Sequence, residues 1–283
     1  MPPFLALAIG IACISLSGIF VKIAQVPGPT SALYRMGIAA LVLLPIWLAT
    51  RSGQAPPPTK ATMLGGVFFA LDLALWNASL LLIPAANATL LANCAPIWVA
   101  LGTVLFLKQP LPRGFLLALG LSVSGVVILV GPGVLQNFAT SKGVVLGVLA
   151  GMAYAVYLVI TERERRTLDT LTFMTVSSVV GACGLLLWCV LNGLPIVGFS
   201  GKTLAALLGL GLISHLSGWL LINYALGHIK ATVTSLVLLG QVLLTALIAW
   251  PVLAEPIGWP LLIGGALLLA GILRASRPPA AAA

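Results

Sequence analysis

Apolar runs about twenty residues long follow one another along the chain, parted by short clusters of proline, glycine and charge. A hydrocarbon core about 30 Å thick takes about 20 helical residues to cross. On that measure the pattern predicts spans near residues 4–24, 30–49, 61–83, 86–107 and 114–131. A second set follows near 143–161, 169–192, 202–226, 231–253 and 257–274. The tightest joint is at Pro84, where a very short turn has to part the third span from the fourth. The fold class that follows is all-α and integral to a membrane, with ten transmembrane helices.

Composition points the same way. The 283 residues are 60% hydrophobic and 7% charged, with a mean hydropathy of +1.17, where soluble domains average about 25% charged residues. Too little polar sequence is left to clothe a soluble core. The net charge of +9 does not point to nucleic acid, because lysines and arginines punctuate the apolar runs instead of clustering on one face. The partner this pattern implies is the lipid bilayer. The N-terminal run lacks a basic n-region and further spans follow it, so it reads as a first span and not as a cleaved leader. Cys13, Cys94, Cys183 and Cys189 all fall in apolar segments without metal-ligand spacing. They read as packing residues, and neither a metal nor a cofactor is expected.

Basic residues also set an orientation. With the N-terminus inside, the cytoplasmic side holds Arg51, Lys60, Lys108, Arg113, Arg163, Arg165, Arg166, Lys230, Arg274 and Arg277, and the outside only Lys22, Lys142 and Lys202. Both termini are therefore expected in the cytoplasm.

The chain also aligns with itself. "NASLLLIPAANATLLANCAPIWVAL" (77–101) runs without a gap against "NYALGHIKATVTSLVLLGQVLLTAL" (223–247). Asn77 meets Asn223, Ile83 meets Ile229 and Leu90 meets Leu236; in the same register Pro110 meets Pro256 and Gly125 meets Gly271. Two repeats, 1–137 and 138–283, then carry five spans each. An odd number makes the second repeat enter the membrane from the opposite face. Secondary transporters use such inverted repeats, with a site at the midplane between the halves, and channels can be built the same way.

Several stretches carry a family likeness. "ALYRMGIAALVLL" (32–44) looks like a second span with its arginine, and "NASL" (77–80) and "NYAL" (223–226) end the third span of each repeat. "LANCAPIWVAL" (91–101) has a mid-span proline, Pro96, and "LAEPIGWPLLIGGALLLAG" (253–271) has a glutamate leading to a glycine-rich last span. In these, and over nearly its whole length, the chain resembles the EamA-type transporters of the drug/metabolite transporter superfamily. It departs from the pattern at Gln109, where the first repeat lacks the counterpart of Glu255, and at Val242, opposite Pro96. Within the superfamily it looks most like the amino-acid exporter branch, known for aromatic amino acids. The resemblance implies a multi-pass protein of the bacterial inner membrane, a small-molecule substrate and export as the direction.

Ionisable groups at membrane depth are costly and face a bundle interior. Asp72, Arg35 and His215 are the clear cases. Arg35 lies about five residues from the outer end of span two, about 8 Å of helix rise, so an inward-reaching guanidinium could approach Asp72. Three readings stay open: a structural ion pair, a carboxylate for substrate ammonium or a proton, or Arg35 reaching outward while Asp72 pairs with amides. His215, Trp219 and Asn223 share one helical stripe at i, i+4 and i+8. Asn77 and Asn223 are read at the same level of their spans, lining a cavity or bonding helix to helix. Asn87, Asn93 and Gln241 add amides, and Tyr34, Trp76, Tyr154 and Tyr157 add aromatic surface. Such walls suit a substrate with an apolar side chain and a charged head. "GVLAG" (147–151) and Gly120, Gly125, Gly264, Gly265 and Gly271 read as helix-packing faces. Pro45 and Pro96 are expected to bend their spans.

An enzyme is not expected: no nucleophile elbow, zinc-protease motif, phosphate-cradling loop or paired carboxylates occur. Arg35 alone is too little cation for phosphorylated cargo, and span one lacks the glutamate of the superfamily's cationic-drug exporters. Small zwitterionic or neutral metabolites remain, amino acids first, moved by alternating access. The alternatives are a passive facilitator, or an exporter of another small neutral or drug-like metabolite. Monomer and homodimer stay equally open.

Overall fold

A computed structural model describes residues 1–51, 57–80, 82, 91–105, 108, 111, 113–130, 142–253 and 259–276. Every regular element among them is a helix. In order these are α1 (Pro3–Ser15), α2 (Ser17–Ala24), α3 (Gly28–Thr50), α4 (Lys60–Leu80), α5 (Ala95–Leu105), α6 (Arg113–Val130), α7 (Lys142–Glu164) and α8 (Thr170–Leu191). Then follow α9 (Gly201–Gly209), a π-helical segment (Leu210–Trp219), α10 (Leu220–Leu226), α11 (Ala231–Leu238), α12 (Gly240–Leu253) and α13 (Trp259–Ser276). Among the described residues six stretches are long and apolar enough to cross a bilayer: Pro3–Val21, Gly28–Thr50, Lys60–Ser79, Lys142–Glu164, Thr170–Leu191 and Gly201–Leu226. Shorter apolar helices lie at Gly114–Gly125, Ala231–Thr245 and Leu262–Arg274.

Local chemistry explains where the rods start and break. Prolines occupy first-turn positions of α1 and α3, where a missing N–H is harmless. Asp169 caps α8 by accepting from Thr172 N at 2.8 Å, and Ser200 caps α9 by accepting from Thr203 N at 3.2 Å. The first rod breaks at Leu16, where the Ser15 hydroxyl bonds Ile11 O at 2.7 Å and the Ser17 hydroxyl bonds Ile14 O. Hydroxyls turned back onto their own helix compete with its ladder and bend it. Pro45 is carried inside α3, which continues to Thr50. Pro96, expected mid-span, instead sits in the first turn of α5, after a turn at Asn93–Cys94. Pro84 lies outside the described residues.

Hydrogen bonds sort the helix ends into two sets. At one end, Tyr224 donates to Met1 O (3.0 Å), Arg165 to Asn223 O (3.1 Å), and Thr62 to Glu164 (2.6 Å). At the other, Thr30 donates to Pro195 O (3.0 Å), Thr203 to Ala24 O (3.3 Å), Asn77 to Gly28 O (2.9 Å) and Ser79 to Gly143 O (2.8 Å). We call these the Met1 end and the Gly28 end. The six long rods therefore alternate in direction, and Arg51, Lys60, Arg163, Arg165, Arg166 and Lys230 gather at the Met1 end.

Packing is closest where side chains are smallest. α6 lies antiparallel to α13: a Cβ on Gly125 would fall 2.5 Å from Gly264 O, and one on Gly271 2.8 Å from Ala118 O. Gly211 and Gly218 seat the π segment against α3 and α1, where a Cβ would stand 2.6 Å from Ile38 Cβ and 2.8 Å from Ile14 Cγ2. α4 packs on α7 and α8, α3 on α8 and the π segment, and α1 on the π segment and α10. Their shared core runs through Leu7, Met36, Phe69, Tyr157, Phe173 and Trp219.

Candidate functional site

The helical period of α4 puts Phe69, Asp72, Leu73 and Trp76 on one face, at i, i+3, i+4 and i+7. That face borders a cavity of about 200 Å³. Arg35 of α3, Tyr154 of α7, Trp219 at the end of the π segment and Gln241 and Thr245 of α12 complete its wall, with Asn93 just ahead of α5. The breaks in the rods serve this space. Ser17 and Gly18 reach it from the kink after Leu16, and Gln241 from just past the joint between α11 and α12.

Arg35 and Asp72 are 6% and 7% exposed. Their charges act on each other through space, yet no direct ion pair joins them, and Arg35 Nε has no hydrogen-bond partner among the described residues. Holding two unpaired charges away from water costs several kcal/mol each. The cavity between them offers compensation: at about 30 Å³ per molecule it holds about six waters, or the charged head of a small ligand.

Toward the Met1 end the cavity closes on aromatic rings. Phe69 stacks on Tyr157 at 4.3 Å between centroids and 10° between planes, and Trp219 meets Phe69 edge-on at 4.6 Å. Tyr154 packs on Trp219 at 5.9 Å, and His215 stacks on Phe69 at 5.4 Å. Among the described residues, the buried N–H groups of Trp76 and Trp219 have no partner. Gln241 Nε2 donates to Asn93 Oδ1 at 2.7 Å, joining α12 to the segment before α5.

Of the residues singled out in the sequence, Arg35, Asp72, Trp76, Asn93, Tyr154, Trp219 and Gln241 meet at this cavity. Others lie elsewhere. Tyr34 donates to Ile196 O (2.9 Å) and packs on Phe199 at the Gly28 end. Tyr157 and His215 belong to the layer behind the lining, and the His215 ring lies 3.4 Å from the Ser178 hydroxyl. Asn77 and Asn223 are fully packed away from the cavity and are not level with each other. Because α4 and α10 run in opposite directions, Asn77 is at the Gly28 end and Asn223 at the Met1 end. Asn87 lies outside the described residues. Phe69 and Thr245 were not anticipated. Phe69 precedes Asp72 by three and Trp76 by seven, and Thr245 follows Gln241 by four, so helical spacing from a polar anchor would have found both.

The model of the EamA-like transporter family matches residues 1–131 and 141–277. The chain is similar to an uncharacterized transporter of Archaeoglobus fulgidus, 28% identical over 217 residues, covering 76% of each chain. A crystal structure at 18% identity superimposes with a TM-score of 0.82 over 97% of this chain and 96% of the other; at that identity the likeness is one of fold.

Proposed function

Because this chain belongs to the EamA-like transporter family, we propose that it is a secondary transporter of small zwitterionic metabolites, amino acids first, working by alternating access. The observation that carries the reading is the pair Arg35 and Asp72, buried at one cavity with, among the described residues, no ion pair between them and no hydrogen-bond partner for Arg35 Nε. An α-amino acid brings the two complements: its carboxylate to the guanidinium and its ammonium to the carboxylate. Tyr154, Trp219, Phe69 and Trp76 then offer an aromatic surface to its side chain. Drug-sized ligands occupy pockets of about 300–1,000 Å³, so a volume of about 200 Å³ favours a small metabolite. The preference for aromatic and other neutral amino acids, and export as the direction, come from resemblance to the exporter branch.

The architecture we propose has ten spans in two inverted repeats, 1–137 and 138–283, both termini cytoplasmic, in a bacterial inner membrane. The exchange of neighbours supports it. α4 packs on α7 as the π segment and α10 pack on α1, and α8 packs on α4 as α3 packs on the π segment. α3 with α8, and α6 with α13, are pairs that such an exchange maps onto themselves. The work is non-enzymatic on this reading, and the cargo crosses unchanged.

A counterflow screen of the twenty amino acids in proteoliposomes tests the substrate. Ranking of tryptophan, phenylalanine and tyrosine above the rest is expected, and indifference to all twenty removes the reading. Imposed pH and voltage steps separate coupled transport from the alternative, a passive facilitator following only the substrate gradient.

A further inference from the structure

Asn77 and Asn223, matched in the sequence register, each tie helices together at one end of the bundle. At the Gly28 end, Asn77 Nδ2 donates to Gly28 O at 2.9 Å. The approach is so close that a Cβ on Gly28 would lie 2.1 Å from Asn77 Cβ. Among the described residues Asn77 Oδ1 has no partner, so one hydrogen bond from this amide holds the contact.

The Met1 end has its own set of ties. Tyr157 Oη lies 3.1 Å from Asn223 Oδ1 and 3.0 Å from Nδ2, and Nδ2 also faces Met174 Sδ at 2.6 Å. The backbone carbonyl of Asn223 accepts from Arg165 Nε at 3.1 Å, while Arg165 Nη2 donates to Thr170 Oγ1 at 2.5 Å. One turn earlier on α7, Glu162 Oε2 accepts from Ala231 N at 2.7 Å. Glu164 Oε2 accepts from Thr62 at 2.6 Å and from Thr59. The last turn of α7 and the residue after it thus tie the starts of α4, α8 and α11 to the end of α10. Tyr157 links this knot to the cavity, because its ring stacks on Phe69, a lining residue.

We infer that Asn77 and Asn223 are the two gate residues of the pathway, one at each end, and that Arg165, Glu162 and Glu164 reinforce the gate at the Met1 end. Opening the Met1 end requires breaking the Asn223–Tyr157 pair and the Arg165 contact together. Opening the Gly28 end requires parting α3 from α4 at the Asn77–Gly28 bond, beside the ties that Thr30, Tyr34, Ser79 and Thr203 make at the same end. The purpose given to these gates rests on the transport reading, though not on any substrate.

The test is sided accessibility. Thr245→Cys, at the cavity wall, is introduced into a background with Cys13, Cys94, Cys183 and Cys189 replaced by alanine. A membrane-impermeant maleimide is then applied to each face of oriented vesicles. Asn223→Ala and Arg165→Gln should raise labelling severalfold from the Met1 face only, and Asn77→Ala from the Gly28 face only. Equal changes at both faces, or none, overturn the proposal. Should an alanine variant fail to fold, Tyr157→Phe, which removes one hydroxyl, and Asn77→Ser make the same comparison. Amino-acid counterflow on the same vesicles separates the two ideas. Sided labelling without exchange keeps the gates and refutes the substrate reading, whereas exchange with unsided labelling does the reverse.

Discussion

Arg35 and Asp72 are chemically opposite and share one cavity, so they should fail in opposite ways. A hydrogen bond to a charged group contributes about 1.5–3 kcal/mol, which is about tenfold to a hundredfold in affinity. Asp72→Asn should weaken competition by amino acids in a counterflow assay by that factor. It should weaken competition by N-acetylated amino acids, which lack the ammonium, much less. Arg35→Gln should show the converse pattern, discriminating against free carboxylates and sparing amino-acid amides. Equal losses for all ligands in both variants would mean that the pair holds the fold and not the substrate. These residues were legible in the sequence because a charge inside an apolar run stands out against its neighbours. Phe69 was not, since one phenylalanine among many apolar residues carries no mark of being the ring on which Tyr157, His215 and Trp219 converge. The register that pairs Asn77 with Asn223 put them at one level, but the structure has them at opposite ends. A sequence register says which residues correspond, whereas their level depends on the direction in which each helix runs.

Helix positions followed from the length of the apolar runs, because a bilayer fixes that length. The interruptions did not. The kink at Leu16 comes from hydroxyls that also occur in straight helices, and the π segment comes from glycines pressed against Ile38 and Ile14 by helices distant in sequence. Two glycines of α6 separate packing from propensity. Gly125 faces the α13 backbone, so Gly125→Ala should cost about 1–3 kcal/mol by overpacking. Gly120 has nothing within 4 Å, so Gly120→Ala should be neutral or stabilise by up to about 1 kcal/mol. Thermal unfolding of the two variants in detergent reads the contrast. At the start of α8, burial opposes ionisation of Asp169, but bonds from the Thr172 hydroxyl and N–H and the nearby Arg165 outweigh it. The carboxyl is held below its ordinary value, so the cap is intact above about pH 3.9 and is lost as pH falls through the lower, folded value. Hydrogen exchange in the first turn of α8 should therefore quicken only in strong acid. Asp169→Asn, itself a good cap, should remove that dependence.

At the scale of the whole molecule, the direction of each rod decides where the chain ends. α1 starts at the Met1 end, and α4 finishes at the Gly28 end, where α7 begins beside Ser79. An even number of crossings must lie between them, and the proposed ten-span plan assigns these to α5 and α6. α10 returns to the Met1 end, and α11 starts there, held by Glu162. The α11–α12 rod then leads away and α13 leads back, so the C-terminus should emerge on the face that carries Met1. That face also carries Arg51, Lys60, Arg163, Arg165, Arg166 and Lys230, a bias that supports the proposed cytoplasmic orientation. A C-terminal epitope tag should resist protease in right-side-out vesicles and be cleaved in inverted ones. Cleavage in right-side-out vesicles while an N-terminal tag stays protected would require an odd number of crossings. It would break the neighbour exchange between the halves and, with it, the basis for placing one gate at each end of the cavity.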